Sequence, residues 1–132
     1  MIFVDANVPM YVIGAEHPHK ADAQQVIARL TAARERLVTD AEAFQEILHR
    51  YVAINRRDAI QPAFDLLHAL VDEIFPVDEA AVDAAKALVL AHPTLSARDA
   101  IHAATMRQHG VARIFSFDTG FDGLPGIIRI GE

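Results

Sequence analysis

Cysteine is absent from the sequence, and so is any long run of apolar residues. The missing cysteine excludes disulfides, thiol nucleophiles and cysteine-ligated zinc sites. No apolar stretch approaches the roughly 20 residues that a membrane-spanning helix needs. The opening segment MIFVD has no basic residues before its apolar run, and Asp5 interrupts that run, which does not fit a secretory signal peptide. We therefore expect a cytoplasmic protein without a membrane partner.

An excess of basic residues is also missing, because 12 lysines and arginines stand against 18 acidic residues and the net charge is −6. Proteins that bind nucleic acid by neutralising phosphates are usually basic, so passive binding is disfavoured. Catalysis is not disfavoured, since acidic residues that hold divalent cations lower the net charge and attract phosphate through the metal. The composition therefore raises the question of whether the acids cluster.

The length of 132 residues and the 52% hydrophobic content fit one folded domain, residues 1–132, with a core of ordinary size. Apolar runs and helix-spaced stripes alternate along the chain, without a tight hairpin signal between strands. This alternation predicts an α/β fold with a mostly parallel sheet and helices on both of its faces. The predicted strands are 2–4, 37–38, 73–77, 114–117 and 127–130, and the predicted helices begin near Asn7, Pro18, Thr39, Asp58, Asp78 and Ser96.

Two aspartates directly follow predicted strands. Asp5 ends the apolar run 2–4, and Asp118 follows the run 114–117. In open parallel sheets, ligands bind outside the carboxyl ends of the strands, so we expect these two carboxylates at one edge. Each could instead cap a helix, since Asp is a favoured N-cap residue. The occurrence of two such aspartates favours a site.

Two further acids lie on predicted helices. Glu46 is flanked by apolar positions, where a carboxylate needs a partner such as a cation, and the alternative is a solvated helix face. Glu42 has a structural explanation, because Thr39-Asp40-Ala41-Glu42 fits a capping box. Asp99 lies in the first turn of the helix that Ser96 opens, where a negative charge suits the helix dipole and a second capping box could form.

The histidines do not suggest a zinc site. His17 and His19 lie in a proline-containing loop without further ligands nearby, and we expect them to be solvated. His102 lies one turn beyond Asp99 on the same predicted helix face. We expect it to be a packed, hydrogen-bonded core histidine, and the alternative is a contact to the site or its substrate.

Four segments together resemble the signature segments of PIN-domain ribonucleases, and in particular of the VapC-like toxins of bacterial toxin–antitoxin pairs. They are Asp5-Ala6-Asn7, Glu46-Ile47-Leu48, Arg98-Asp99-Ala100-Ile101-His102-Ala103-Ala104, and Ser116-Phe117-Asp118 continuing through Phe121-Asp122-Gly123-Leu124-Pro125-Gly126. The resemblance covers essentially the whole chain in the right order. It implies a three-layer α/β/α sandwich, an Mg²⁺ or Mn²⁺ site, cleavage of RNA, homodimerisation and inhibition by a small antitoxin protein.

The same resemblance implies roles for individual acids. It implies metal-binding and catalytic roles for Asp5, Glu46, Asp99 and Asp118, with Asp122 as a secondary candidate. We expect the first and third of these four to hold the main ion, and the other two to position it, or a second ion, and the attacking water. Two departures concern only hydroxyl groups, because Ala6 stands where Thr or Ser is common and Ser116 replaces a frequent Thr.

Three other interpretations fit part of the pattern. A phosphohydrolase or phosphate-transfer domain also has an Asp after its first strand, but it would need a lysine near the phosphate, and Lys20 and Lys86 lie on predicted helices. A DNA nuclease of related fold usually carries the basic surfaces that this chain lacks. A non-catalytic interaction module of the same fold would use its acids as helix caps and its apolar helix stripes for a partner.

The sequence offers little from which to predict how RNA would bind. No aromatic stacking platform or basic cluster stands out. Arg50, Arg98 and Arg113 are candidates for phosphate contacts, and nothing in the sequence ranks them. Their ranking depends on which side chains the fold brings beside the acids.

Overall fold

The computed structural model describes residues 1–131, which form a five-stranded parallel sheet with helices on both faces. The strands are β1 (Ile2–Val4), β2 (Leu37–Asp40), β3 (Glu73–Phe75), β4 (Arg113–Phe115) and β5 (Ile128–Ile130). The helices are α1 (Asn7–Ile13), α2 (Pro18–Ala32), α3 (Ala41–Ala53), α4 (Ile60–Leu70), α5 (Glu79–Ala91) and α6 (Ala97–Gln108). Short 3-10 turns occur at Arg57–Ala59 and Thr119–Phe121. The predicted α/β fold with a parallel sheet is confirmed.

The alternating side chains of the central strands separate two hydrophobic cores. In β1, Ile2 and Val4 pack into the core that includes residues of α1, α2, α3 and α4, whereas Phe3 packs into the core that includes residues of α5 and α6. In β2, Leu37 and Val38 divide in the same way. Successive strand residues point to opposite faces, and a parallel sheet is covered on both, so its strands are continuous apolar runs. The three-layer α/β/α arrangement follows directly.

Strand order reverses at β1, in the middle of the sheet. The order is β3-β2-β1-β4-β5, so the chain builds outward from β1 on one side and then crosses to add β4 on the other. Ligands of open α/β sheets bind at such a switch point, outside the carboxyl ends of the strands. Asp5 lies at this point, where its backbone N–H donates to the carbonyl of Phe115 at 3.0 Å.

Several strands are shorter than the apolar runs predicted, because each strand ends where its neighbour ends. Val4 is the last residue of β1 and pairs with Phe115, so β4 stops there and Asp118 follows three residues later. Likewise Asp40 ends β2 and pairs with Phe75, so β3 does not continue to Val77. The single helix predicted over 58–72 is a 3-10 turn followed by α4.

The predicted capping box at the start of α3 is wrong. Thr39 is a residue of β2, and its hydroxyl donates to the carbonyl of Val4 at 2.8 Å, which ties two strands together. The N-cap of α3 is Asp40, whose carboxylate accepts from the backbone N–H of Ala43 at 3.0 Å. A helix was predicted to begin near Asn7, and Asn7 is the first residue of α1, although no side chain caps that helix.

The predicted starts of α5 and α6 are confirmed by their caps. The carboxylate of Asp78 accepts from the N–H of Ala81 at 2.9 Å, and the hydroxyl of Ser96 accepts from the N–H of Asp99 at 3.1 Å. At the other end of α6, Gly110 has a φ of 68°, which favours glycine, and so reverses the chain toward β4. Within residues 1–131, no helix is both long enough and apolar enough to cross a membrane.

The cap of α5 gives a first test of these local contacts. Asp78→Ala should lower the free energy of unfolding by about 1 kcal/mol, because it leaves an N-terminal N–H of the helix without its acceptor. Asp78→Asn keeps an acceptor oxygen and should stay within a few tenths of a kcal/mol of the parent. Urea denaturation of the three proteins measures both differences, and equal stability of the alanine variant and the parent would contradict the assignment.

Candidate metal centre

Four carboxylates line one cleft at the carboxyl edge of the sheet. They belong to Asp5, Glu46, Asp99 and Asp118, and Asn7, Ser96, Ala97 and Arg98 complete the lining of a space of about 400 Å³. Each acid comes from a different part of the chain: the end of β1, the second turn of α3, the first turn of α6 and the loop after β4. The fold therefore brings together all four residues that the sequence singled out first.

Asp5 is nearly fully buried, with 3% of its surface exposed. One carboxylate oxygen accepts from the backbone N–H of Ala6 at 2.7 Å, and the other accepts from the hydroxyl of Ser116 at 2.6 Å. Burial raises the pKa of Asp5 to about 6, and the negative charge of Glu46 adds to this effect, while His102 and the two hydrogen bonds oppose it. A cation placed here would replace the missing solvation.

The hydroxyl of Ser116 joins the first and last motifs of the chain. It donates to Asp5 and accepts from the backbone N–H of Asp118 at 3.0 Å. The side-chain NH2 of Asn7 donates to the same oxygen at 3.3 Å, so this side chain contacts Ser116 and does not cap α1. A serine at this position is therefore sufficient to provide the hydroxyl contacts, although threonine is the frequent residue of the resembled family.

Asp99 and Asp118 lie beside each other in the cleft. Asp99 is 6% exposed, and burial, a hydrogen bond with Asp118 and the nearby charge of Asp5 raise its pKa to about 8. One oxygen of Asp118 also accepts from the backbone N–H of Gly120 at 2.8 Å. A Cβ atom at Gly120 would lie 3.0 Å from an oxygen of Asp118 and 3.2 Å from one of Asp99, so this glycine leaves the two carboxylates room.

His102 is a fully buried, hydrogen-bonded histidine, and it also contacts the cleft. Its Nδ1 lies 2.9 Å from a carboxylate oxygen of Asp40, and its Nε2 lies 3.2 Å from Glu46 and 3.6 Å from Asp5. Burial alone would lower the pKa of His102, but the charge and hydrogen bond of Asp40, together with the other two acids, raise it well above its ordinary value. The ring therefore acts as a buried positive charge that holds Glu46.

Asp40 is the site residue that the sequence analysis did not identify. It is completely buried, and besides His102 and the cap of α3 it accepts from the hydroxyl of Thr105 at 2.7 Å. Burial tends to raise its pKa, but His102 and these hydrogen bonds outweigh burial and lower it. The sequence did contain a hint, because Asp40 lies at the carboxyl end of a buried strand, as Asp5 does after β1. The sequence analysis instead assigned Asp40 to a capping box.

Asp122 lies apart from the other acids. It does not line the cleft, and its half-exposed carboxylate forms a two-point ion pair with the guanidinium of Arg129, at 2.7 and 3.2 Å. This partner lowers the pKa of Asp122. Asp122 therefore already has a counter-charge in Arg129. Among the described residues, His102 is the basic side chain that pairs with the buried acids.

His17 is exposed and His19 is partly exposed, but both rings also pack against aromatic side chains, which the sequence analysis did not expect. The ring centroid of His19 stacks 4.4 Å from that of Phe117, and the ring of Tyr11 lies 4.8 Å from His17 and 5.3 Å from Phe117. These four rings form an aromatic cluster that adjoins Asp118 in the chain. The sequence did not reveal it, because its members come from α1, the N-cap and first turn of α2, and the loop after β4.

The donor set fits a hard divalent cation. Carboxylate oxygens of Asp5 and Glu46 lie within 4.8 Å of each other, and Asp99 and Asp118 line the same cleft. Carboxylate oxygens are the ligands that Mg²⁺ and Mn²⁺ prefer. The raised pKa values of Asp5 and Asp99 are what buried carboxylates show when no cation balances them. Metal binding is therefore the chemistry that this arrangement supports.

Comparison with known proteins points in the same direction. The sequence matches the PIN-domain family over residues 2–127. It is 55% identical over 130 residues to ribonuclease VapC13 of Mycobacterium tuberculosis, an alignment that covers 98% of this chain and 99% of that protein. The fold is similar to that of Mycobacterium tuberculosis VapC20, a sarcin–ricin loop cleaving toxin, with a TM-score of 0.81 and 21% identity over the full length of both chains. A chain of a toxin–antitoxin complex from Klebsiella pneumoniae has a TM-score of 0.68 and 17% identity, covering 97% of this chain and 96% of that one.

Crowding of the acids predicts how stability depends on pH without metal. A carboxyl group whose folded pKa lies above its unfolded value favours folding at low pH, and this contribution is lost as pH rises through the folded pKa. The values near 6 for Asp5 and near 8 for Asp99 place the loss between about pH 4 and pH 8. The raised pKa of His102 also favours folding at low pH, and this contribution to stability decreases as the pH rises above the ordinary pKa of histidine. In EDTA, the free energy of unfolding should therefore fall from about pH 5 to pH 8.

Asp99→Asn should reduce this fall by an amount on the order of 1 to 3 kcal/mol, because the amide cannot ionise. The measurement is urea denaturation in EDTA at both ends of the range. Asp83→Asn is the matched control, since that carboxylate is exposed on α5. Identical pH dependence in Asp99→Asn and the parent would contradict the assignment.

Asp40 and His102 predict a second effect, on metal affinity. Asp40→Asn keeps an acceptor for the cap of α3 but removes the charge that holds the imidazole. Mn²⁺ affinity should then fall by about tenfold to a hundredfold, as it does when other residues that orient metal ligands through hydrogen bonds are replaced. Calorimetric titration measures the affinity and circular dichroism checks the fold. Asp78→Asn makes the same change at the cap of α5, and an equal affinity in both variants would refute the role of Asp40.

Proposed function

The chain belongs to the PIN-domain family, and from that premise we propose that it is a metal-dependent endoribonuclease that acts as the toxin of a toxin–antitoxin pair. The observation that carries the proposal is the convergence of four carboxylates in one cleft at the switch point of the sheet. The mycobacterial relative with which it shares more than half of its residues is named a ribonuclease, which supports RNA as the substrate.

We assign the metal-binding and catalytic roles to Asp5, Glu46, Asp99 and Asp118. The metal is Mg²⁺ or Mn²⁺ in this proposal, because the donors are almost all carboxylate oxygens. When bound, such a cation lowers the pKa of a water and neutralises charge on the phosphoryl oxygens of the substrate. Asp122 is left out of the assignment, because it lies off the cleft and is paired with Arg129.

The residues of the chain prepare this site in three ways. Ala6 and Ser116 fix the orientation of the Asp5 carboxylate, with one hydrogen bond to each oxygen. His102 holds Glu46 beside it. Because the pKa of Asp99 is raised to about 8, this carboxyl group must lose its proton when a cation binds, so metal binding should release protons and weaken at low pH.

Two protein partners belong to the proposal: a small antitoxin and a second copy of the chain. Support comes from a solved structure of similar fold that is a toxin–antitoxin complex. The surface also exposes large apolar side chains in groups, as interaction surfaces do. These are Leu48 and Val52 on α3, Ile54 just after it, and Val82 and Leu90 on α5.

The structure favours neither alternative function. A phosphate-transfer site would need a lysine beside the acids, but Lys20 donates to the carbonyl of Gly14 and Lys86 pairs with Asp83. Neither lysine lines the cleft. A pure interaction module would use its acids as helix caps, but Asp5 holds no helix N–H beyond that of Ala6, and Glu46 contacts His102.

RNA cleavage tests the proposal directly. The purified protein should cut a mixed RNA pool in Mg²⁺ or Mn²⁺ but not in EDTA, and Asp5→Asn should lower the rate by at least about a hundredfold. Asp122→Asn is the matched control, because it neutralises a nearby acid outside the cleft, and it should keep the parental rate. Products are followed by gel electrophoresis.

Two outcomes would contradict the proposal. Equal rates for Asp5→Asn and the parent would show that the cleft does not carry the activity. The absence of cutting together with the absence of Mn²⁺ binding by calorimetry would favour an interaction module. A rate lost in Asp122→Asn as well would contradict the assignment of residues rather than the function.

A further inference from the structure

A second cleft opens beside the four acids. It encloses about 410 Å³, within the range of small-ligand sites, and shares Asn7, Glu46 and Arg98 with the acidic cleft. Its walls come mainly from α1 and α3 and include Met10, Tyr11, Tyr51 and Ile54, with Arg50 and Arg56 also lining it. We call it the arginine cleft. The metal site requires only the acidic cleft, so this adjoining space has no role in the function proposed above.

Two arginines of this cleft have no ion-pair partner. Arg50 lies one turn beyond Glu46 on α3, and Arg98 directly precedes Asp99. Within residues 1–131, neither guanidinium comes within salt-bridge distance of a carboxylate, although Arg98 is near enough to Glu42 to act on its pKa. An acidic chain with a net charge of −6 offers many carboxylates, so unpaired guanidinium groups beside the acidic cleft are notable.

Two other arginines that could contact phosphate already have partners. Arg113 pairs with Glu35 at 3.2 Å and lies at neither cleft, which removes it from the three candidates for phosphate contact. Arg56 lines the arginine cleft, but Asp58 binds its guanidinium. Of the arginines that line the two clefts, Arg50 and Arg98 are therefore the two free to bind an anion.

The lining of the cleft suits a nucleotide. Arginine binds phosphate through charge-assisted hydrogen bonds, and a phosphodiester chain carries one such charge per nucleotide. Between charges it presents bases, which stack on aromatic side chains with little regard to sequence. Tyr11 provides a ring in the wall, supported by the aromatic cluster with His17, His19 and Phe117. The cleft likewise combines apolar and aromatic walls, which suit a base, with arginines, which suit the phosphates on either side of it.

We propose that the arginine cleft binds the nucleotide next to the cleaved phosphate of single-stranded RNA. In this arrangement Arg50 and Arg98 contact backbone phosphates, and Tyr11 contacts a base. The inference rests on the proposed ribonuclease function, because the shared residues Asn7 and Glu46 make the two clefts continuous. It adds a binding site for the substrate to the site that cuts it.

Binding without cutting provides the test. The Asp5→Asn protein in EDTA is titrated against a short fluorescein-labelled single-stranded RNA of random sequence, and anisotropy is followed at salt concentrations from about 50 to 200 mM. Adding Arg50→Ala or Arg98→Ala should weaken binding about tenfold and reduce the salt slope by about 0.7 each, the value for one phosphate contact of a single strand. Arg29→Ala is the matched control, since this exposed arginine of α2 lines neither cleft.

The tyrosine gives an independent arm. Tyr11→Leu should weaken binding about tenfold without changing the salt slope, because it removes a stacking surface and no charge. Tyr11→Phe keeps the ring and should bind as the parent does. Circular dichroism of each variant checks that the fold is retained.

Cleavage by the otherwise unchanged protein, with and without each arginine, separates this inference from the proposed function. Arg50→Ala should raise KM more than it lowers kcat, as expected for a lost binding contact. Metal-dependent cleavage with the same RNA affinity in all arginine variants would overturn the arginine cleft, leave the nuclease intact, and favour a protein ligand there. Failure of Asp5→Asn to bind the RNA at all would also overturn it. Arginine-dependent binding without any cleavage would support the cleft and contradict the proposed function.

Discussion

Asp5 directly follows a strand that is covered on both faces, and its carboxylate is almost completely shielded from water. A buried charge of this kind is unfavourable unless hydrogen bonds or an opposite charge stabilise it, and the surrounding residues supply both. Ala6 supplies a backbone N–H, Ser116 a hydroxyl, and His102 a positive charge. These contacts still leave the pKa of Asp5 raised, so the compensation is incomplete without a cation. The end of the central strand and the proposed metal site therefore share the same buried group.

The pairing of Asp40 with His102 extends this balance into the core. Asp40 caps α3, which carries Glu46, and it also holds the imidazole that contacts that glutamate. One buried carboxylate thus fixes both the helix and the orientation of a side chain projecting from it. A helix cap on its own would contribute only stability. Because Asp40 also binds His102, it helps to set where the carboxylate of Glu46 lies relative to Asp5.

Sequence patterns predicted the parts of this structure that depend on local chemistry. Strand-terminal aspartates, an acid beside apolar positions and the caps at Asp78 and Ser96 all follow from neighbouring residues. The ends of β3 and β4 could not be predicted, because they are set by where β2 and β1 stop. Asp40 was missed for a related reason: its local role as a cap is genuine, and only the fold shows that His102, 62 residues away, uses the same carboxylate.

The hydrogen bond between Asp5 and Ser116 spans 111 residues of sequence. The strand beside β1 on that side, β4, is likewise far from β1 in sequence, because it begins only at Arg113. Contacts so distant in sequence form late, because the intervening chain must be ordered first. During translation, a nascent chain that has not yet reached Ser116 lacks both the hydroxyl that orients Asp5 and the carboxylate of Asp118. The acidic cleft therefore remains incomplete until residues 116–118 have been synthesised and β4 has paired with β1.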